Sequence, residues 1–507
     1  MAVSERLDKR LPVFLGKIAS KSALLTALST VVIAIVLASQ VSPYRHADRA
    51  RVADRALAHS DFAAFYCASL AARTHADPYK TAPLRGCQVE RAYRPAGLAY
   101  VGNSIDPAPL PGYDFALFAP LTFLPYRIAG LLWIALLVAA NLAGSFVLAK
   151  LTRMPFGLVV ALLAVTNGTI CYTFGQPQPI VTLALVAAAL SLRIGRPRVA
   201  AAIASLTLIE PHVGLPVIVA LFLWSAQARV PVVLLCAAFG VLSFAFLGTA
   251  TNVEYFAKVL PIHAFAEVPV WIQYSLTSVL YTFGVPDALA LRLASIQYAL
   301  TIALGVALAG PLAKRIGAPA LVLFPAAYAV VGGPYMHIQQ ISSAIPFALY
   351  VAAFVPALRV WGWVAVVLLA LQLNVAGVST QLIAAIVIFG GALYALSPRP
   401  MMQRAAIGAA VFVLYASLNA ILLRVPYSTT RAMPTEAQIA TATAGFDPSL
   451  ASTLWAVEAR RDVAMSEVSA RRVFERLPAW IALLIVVGIG VAAVATGGSH
   501  EPLPMRI

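Results

Sequence analysis

Uncharged apolar runs of roughly 17 to 25 residues recur along this chain, and nothing else in the sequence constrains its fold as strongly. As an α-helix, a run of that length crosses the roughly 30 Å of hydrocarbon in a bilayer. Backbone N–H and C=O groups meet no water there, so each run has to be helical. The runs fall near residues 22–41, 127–149, 155–174, 178–192, 230–248, 287–310, 318–334, 338–356, 360–378, 380–396, 405–423 and 478–496. They predict an all-α polytopic membrane protein with about twelve transmembrane helices. The charge content agrees. Charged residues make up 11% of the 507 and hydrophobic ones 61%, whereas a soluble domain carries roughly 25% charged residues.

A net charge of +16 could signal nucleic acid. Here the basic residues are dispersed at the ends of apolar runs and are not gathered with aromatics into one patch, so no nucleic-acid partner is expected. They read as topogenic charges. Arg6, Lys9, Arg10, Lys17 and Lys21 precede the first run and make it a retained signal anchor. The block at 199–226 is broken by Glu210, Pro211 and His212 and has basic residues at both ends. A re-entrant hairpin keeps both ends on one side. With it, Lys150, Arg193, Arg229, Lys314, Arg359, Arg404 and both chain ends share the cytoplasmic side. The long segments 43–112 and 425–476 then lie outside. The expected organisation is a bundle over 1–424 with its external loop 43–112, an external helical segment over 425–477, and a last helix with a cytoplasmic tail over 478–507. Cys67 and Cys87 share one external loop and can pair in an oxidising space. Cys171 and Cys236, in or near apolar runs, are expected to be inert.

The external segments carry the polar candidates. "DFAAFYCASLAARTHADPY" sets Phe62, Phe65, Tyr66, Ser69 and Leu70 at spacings of three and four. That predicts an amphipathic helix capped by Ser60 and stopped at Asp77-Pro78, its apolar face on the membrane surface or the bundle. Asp61 begins it. A carboxylate there can take a proton from a sugar hydroxyl, or merely complement the helix dipole. "YDFALFAPLTFLPYR" reads as a second interfacial segment, and "DPSLASTLWAVEARRDVAMSEVSARRVFERLP" as an external helix. His337 follows a backbone break at Gly332, Gly333 and Pro334, which is tolerated at membrane depth where it lines a cavity. Glu210 and His212 interrupt an apolar block and are candidate pocket residues. Gln176 and Gln178 in "FGQPQP", Gln273 and Ser275 in "WIQYSL", and Tyr66 combine amides, hydroxyls and rings suited to a sugar. Aromatic belts at the interface give the same residue types. No Walker loop, dinucleotide-binding turn or H-E-x-x-H is present, so no metal and no cofactor is expected.

The order of these pieces resembles glycosyltransferase family 87, a family with the GT-C fold. The carrying residues are "DFAAFY" with "DPY", the Pro-rich "FAPLTFLP", "GQPQ", the broken hairpin, "QYSL" and "PYMH", over the first two thirds of the chain. The resemblance implies a GT-C-like bundle that transfers a sugar, mannose or another hexose or pentose, from a polyprenyl-phosphate donor to a glycan or glycolipid acceptor with inversion. It implies Asp61 as general base, His337 across the cavity from it, and Gln176 as the glutamine of the family's G-Q motif. It also implies a bacterial cell membrane with the active site on its periplasmic face. Two departures stand out. Glu210-Pro211 replaces the usual Lys-Pro, leaving His212 or Arg292 to supply positive charge, and Asp114-Phe115 stands where Pro-Pro is usual. Two rivals are a secondary transporter or lipid flippase, which would explain the broken helices, and a non-catalytic assembly partner.

Overall fold

The computed structural model describes residues 61–94, 105–164, 166, 169–270, 272–370, 432–461 and 470–495. Ser60, Trp271, the run at 22–41 and the runs at 380–396 and 405–423 lie outside them. All regular structure among the described residues is helical.

The segment 43–112, expected to be external, contributes α1 (Asp61–Arg73) and α2 (Thr81–Cys87). Helix α1 carries no charge between its terminal residues, and Phe62 to Ser69, Ala71 and Ala72 are all buried. The expected one-sided helix is therefore wrong. A helix that is apolar all round has to be buried all round. It also stops at Arg73, ahead of Asp77-Pro78. His75 takes a left-handed conformation (φ 59°), and the Ala76 N–H reaches back to the Ala71 carbonyl at 2.9 Å. A disulfide joins Cys67 to Cys87, with Cα atoms 5.6 Å apart, inside the roughly 7 Å limit for such a bridge.

The chain continues through α3 (Gly112–Phe118), α4 (Tyr126–Thr152), α5 (Phe156–Leu163), α6 (Thr169–Phe174) and α7 (Gln178–Arg193). The broken block is α8 (Pro197–Ala204), a 3-10 turn (Ser205–Ile209) and α9 (Pro211–Trp224). The two arms fold onto each other. A Cβ on Gly214 would sit 2.5 Å from the Thr207 carbonyl oxygen, so only glycine permits the approach. Then come α10 (Arg229–Glu254), kinked at Gly248 (φ 71°), α11 (Leu260–Ala266), α12 (Leu276–Thr282) and α13 (Asp287–Ile316). Helices α14 (Ala320–Ala329), α15 (Ile345–Phe354) and α16 (Arg359–Ala370) follow. The later external segment gives α17 (Glu436–Thr443) and α18 (Ala451–Arg461), and α19 (Ala470–Ala495) is the last helix.

Among the described residues, four helical stretches are long and apolar enough to cross a membrane: Tyr126–Thr152, Ala226–Ala266, Asp287–Ile316 and Glu475–Ala495. A fifth arises if Gln340–Phe354 and Pro356–Ala370, bent by 119°, form one span. Among the described residues the expected count of about twelve is not reached. Apolar length was the wrong measure, because Pro and Gly cut several runs into short helices. The run at 318–334 gives only the ten residues of α14. The long helices still need a lipid-like solvent. Only 11% of the apolar window in Ala226–Ala266 is buried, so Val230, Leu234, Val241 and Phe244 present a broad hydrophobic exterior.

Two apolar cores result. The larger gathers α7, α9, α14, α15 and α19. The outer one packs α1 on Phe115, Phe118, the start of α4 and Leu450. The chain after α1 and the chain leading into α18 thereby meet. The Tyr79 carbonyl accepts from Ala451 N–H (2.9 Å), and Lys80 Nζ lies 3.1 Å from both Asp447 and Glu254.

Non-reducing peptide mapping is expected to recover one covalently linked pair carrying Cys67 and Cys87. Replacing both by Ala should cost about 3 kcal/mol for a loop of this length. Free thiols at both positions in the denatured, unreduced protein would contradict the pairing.

Candidate functional site

Between the two cores lies a cavity of about 530 Å³. Its wall takes Phe65 and Phe118 from the outer core, while Ile209 packs against both. Backbone breaks bring the polar groups to it. At Gly175 the chain turns with φ 74°, and a Cβ there would meet Phe62 Cβ at 2.9 Å. The "GQPQ" turn consequently lies directly on the start of α1. Trp133 Nε1 fixes it by donating to the Gly175 carbonyl at 2.7 Å. From this position Gln176 Nε2 donates to the Asp61 carboxylate.

The segment "QYSL" backs another part of the wall. Gln273 Oε1 accepts from Met336 N–H (2.7 Å), and Tyr274 N–H donates to the Met336 carbonyl (2.6 Å). The "PYMH" loop is thus held against it. The His337 ring Nε2 lies 3.0 Å from Glu267 Oε2. Glu267 also accepts from Gln273 Nε2 at 2.7 Å and, through Oε1, from Trp455 Nε1 of α18 at 2.8 Å. Gln340 joins the loop to the hairpin: its Nε2 donates to Glu210 Oε2 at 2.9 Å, and its Oε1 accepts from His337 N–H at 2.8 Å.

Of the residues singled out from sequence, Asp61, Gln176, Glu210, His212 and His337 line the cavity. Four do not. Tyr66 is buried against Phe62 and Tyr126, with its hydroxyl donating to the Leu124 carbonyl (2.9 Å). Gln178 lies at the start of α7 and donates to Ser343 Oγ (2.7 Å). Ser275 caps α12 by accepting from Ser278 N–H, and Gln273 supports the site from behind. Amides and hydroxyls at helix starts have local backbone duties that sequence alone does not separate from ligand binding. Glu267, Asp106, Tyr335, Gln340 and Trp455 line the cavity without having been singled out. One signal was legible: Glu267 is the only acid in the stretch 255–286.

The carboxylates here differ in electrostatic state. Burial, reinforced by the charge of Asp106, pushes Asp61 up to about 7 against the opposing pull of His337 and Gln176. Burial also acts upward on Glu267, but the His337 hydrogen bond, the charges of His337 and His263, and the Trp455 bond bring it down to about 2. For His337 burial works against the charged form; the Glu267 hydrogen bond and charge, with Asp61 and Glu210, outweigh it and raise its pKa. The site thus combines Asp61, poised near neutrality, with a Glu–His ion pair. No Lys or Arg lines the cavity among the described residues.

No family model matches the chain, and no curated protein or solved structure matches it either.

A carboxyl that titrates near 7 when folded and near its ordinary 3.8 when unfolded binds its proton preferentially in the folded state. Its contribution to stability is complete below pH 4 and is lost as pH rises to 7. Asp61→Asn stays neutral throughout. Its melting temperature should therefore gain on the wild type between pH 4 and 7 and hold that gain above 7. A gap independent of pH would show that the Asp61 pKa is not raised.

Proposed function

We propose that this protein is a membrane glycosyltransferase that moves a sugar from a polyprenyl-phosphate donor to a glycan or glycolipid acceptor at the external face of a bacterial cell membrane. The observation that carries this reading is the convergence of Asp61 and His337, far apart in sequence, on one cavity beneath the external segments. Asp61 accepts the proton of the acceptor hydroxyl. The hydroxyl oxygen bonds to the anomeric carbon as the bond from that carbon to the phosphate oxygen breaks, and polyprenyl phosphate leaves with inversion at the sugar. A base with pKa near 7 suits that work at neutral pH. A cavity of this size suits a small polar head group, with Tyr335 and Trp455 available to sugar ring faces. Leu215 and Phe256 line the cavity and are 54% and 66% exposed, so they offer apolar surface to a lipid tail.

The finer architecture belongs to the same proposal: a GT-C-like bundle with a re-entrant hairpin, and both external segments in the periplasm. One observation favours a rival. Asp61, Asp106, Glu210 and Glu267 face no Lys or Arg among the described lining residues, which suits a proton-coupled transporter.

In proteoliposomes loaded with polyprenyl-phosphate sugars, Asp61→Asn is expected to lower transfer by about 10²- to 10⁴-fold while the protein still folds. Full transfer by that variant would remove Asp61 as the base, and solute uptake without transfer would favour the transporter. For topology, Gly445→Cys should react with an impermeant maleimide in intact cells, and Arg198→Cys only after permeabilisation. The reverse pattern would invert the orientation.

A further inference from the structure

We infer that Glu267 is a positioning residue of this cavity: its carboxylate holds the His337 ring in place and keeps it an imidazolium among the surrounding acids. The inference rests on the transferase reading only for what the cation does, which is to stabilise negative charge on the donor phosphate as it leaves.

The geometry singles out this pair. Three histidines line the cavity. His212 Nε2 lies 3.4 Å from Glu210 without making a hydrogen bond. His263 Nε2 lies 3.7 Å from Glu267, too far for one. Only His337 has a carboxylate at hydrogen-bonding distance, 3.0 Å. Glu267 is itself immobilised. Its two oxygens accept from His337, Gln273 and Trp455, which belong to three separate parts of the chain. It is 4% exposed, so the pair is shielded from the solvent that weakens surface ion pairs. A carboxylate behind an imidazole fixes both its orientation and its proton, as in catalytic triads. The cavity offers a phosphate no Lys or Arg among its described lining residues, so among those residues the imidazolium is a cation within reach.

The charged and titratable groups facing His337 are Glu267 and His263 from around α11, Asp61 from α1, and Glu210 and His212 from the hairpin. Removing the Glu267 charge leaves Asp61 and Glu210 as the remaining anions. The His337 titration should then move to lower pH without vanishing.

The experiment follows His337 directly. Diethylpyrocarbonate acylates neutral imidazole, so its reaction rate against pH, read by peptide mass spectrometry on the purified protein, gives the midpoint of each histidine. In the wild type, His337 should become reactive at higher pH than a histidine in a short unstructured reference peptide. In Glu267→Gln the His337 midpoint should fall, and Glu267→Asp should restore part of the shift. An unchanged midpoint in Glu267→Gln overturns the inference. Should that variant fail to fold, a wild-type His337 that reacts at or below the pH of the reference peptide overturns it equally. Transfer is measured on the same proteins. Glu267→Gln should lower kcat/KM for the donor about tenfold or more, with the KM for the acceptor unchanged. A midpoint shift in a wild type that transfers no sugar upholds the pairing and refutes the transferase reading. An active enzyme without the shift upholds that reading and refutes the pairing.

Discussion

A helix that ends inside apolar surroundings leaves up to four N–H or C=O groups without partners, and hydrocarbon offers none. This chain breaks its helices repeatedly: at Gly175, at Glu210 and at Gly333. The three breaks surround one cavity, so the cost is met once, where polar side chains and space already exist. Each break delivers a polar residue to the same place: Gln176 from the first, Glu210 from the second and His337 from the third. The cavity and the broken helices are two aspects of one solution. Closing any break into a straight helix would remove one of its walls.

Gathering carboxylates in a shielded space raises a second problem, because like charges there repel strongly. The chain solves it differently at each acid. Asp61 receives one amide and a weak cationic influence, and shifts toward neutrality. Glu267 receives three donors, one of them a histidine, and stays ionised. Two carboxyls pushed apart in this way can do different work, one exchanging a proton and the other holding a charge in place.

Much of this was legible in the sequence because it rests on local rules. Apolar runs gave the helical class, and the paired cysteines gave the bridge that the structure contains. The broken hairpin followed from Glu210-Pro211 inside an apolar block. Other features depend on packing that no local pattern encodes. Buried α1 was read as one-sided because spacing alone does not reveal what covers the far face, here Leu450 and the interfacial helix α3. Gln178 and Ser275 were read as ligands because a side chain's partner is decided by the fold, and theirs are Ser343 Oγ and Ser278 N–H. Glu267 was missed because its importance comes from three donors scattered from residue 273 to residue 455.

The last of those donors links the site to the outer segments. Trp455 belongs to α18, which is tied to the first external segment through Lys80, Asp447 and the Tyr79–Ala451 hydrogen bond. Docking of this outer layer therefore reaches Glu267, and through Glu267 the histidine. A layer that only covered the cavity could be attached anywhere along its rim. This one contributes a hydrogen bond to the group that sets the charge of the wall, so the site is complete only when the outer layer is seated.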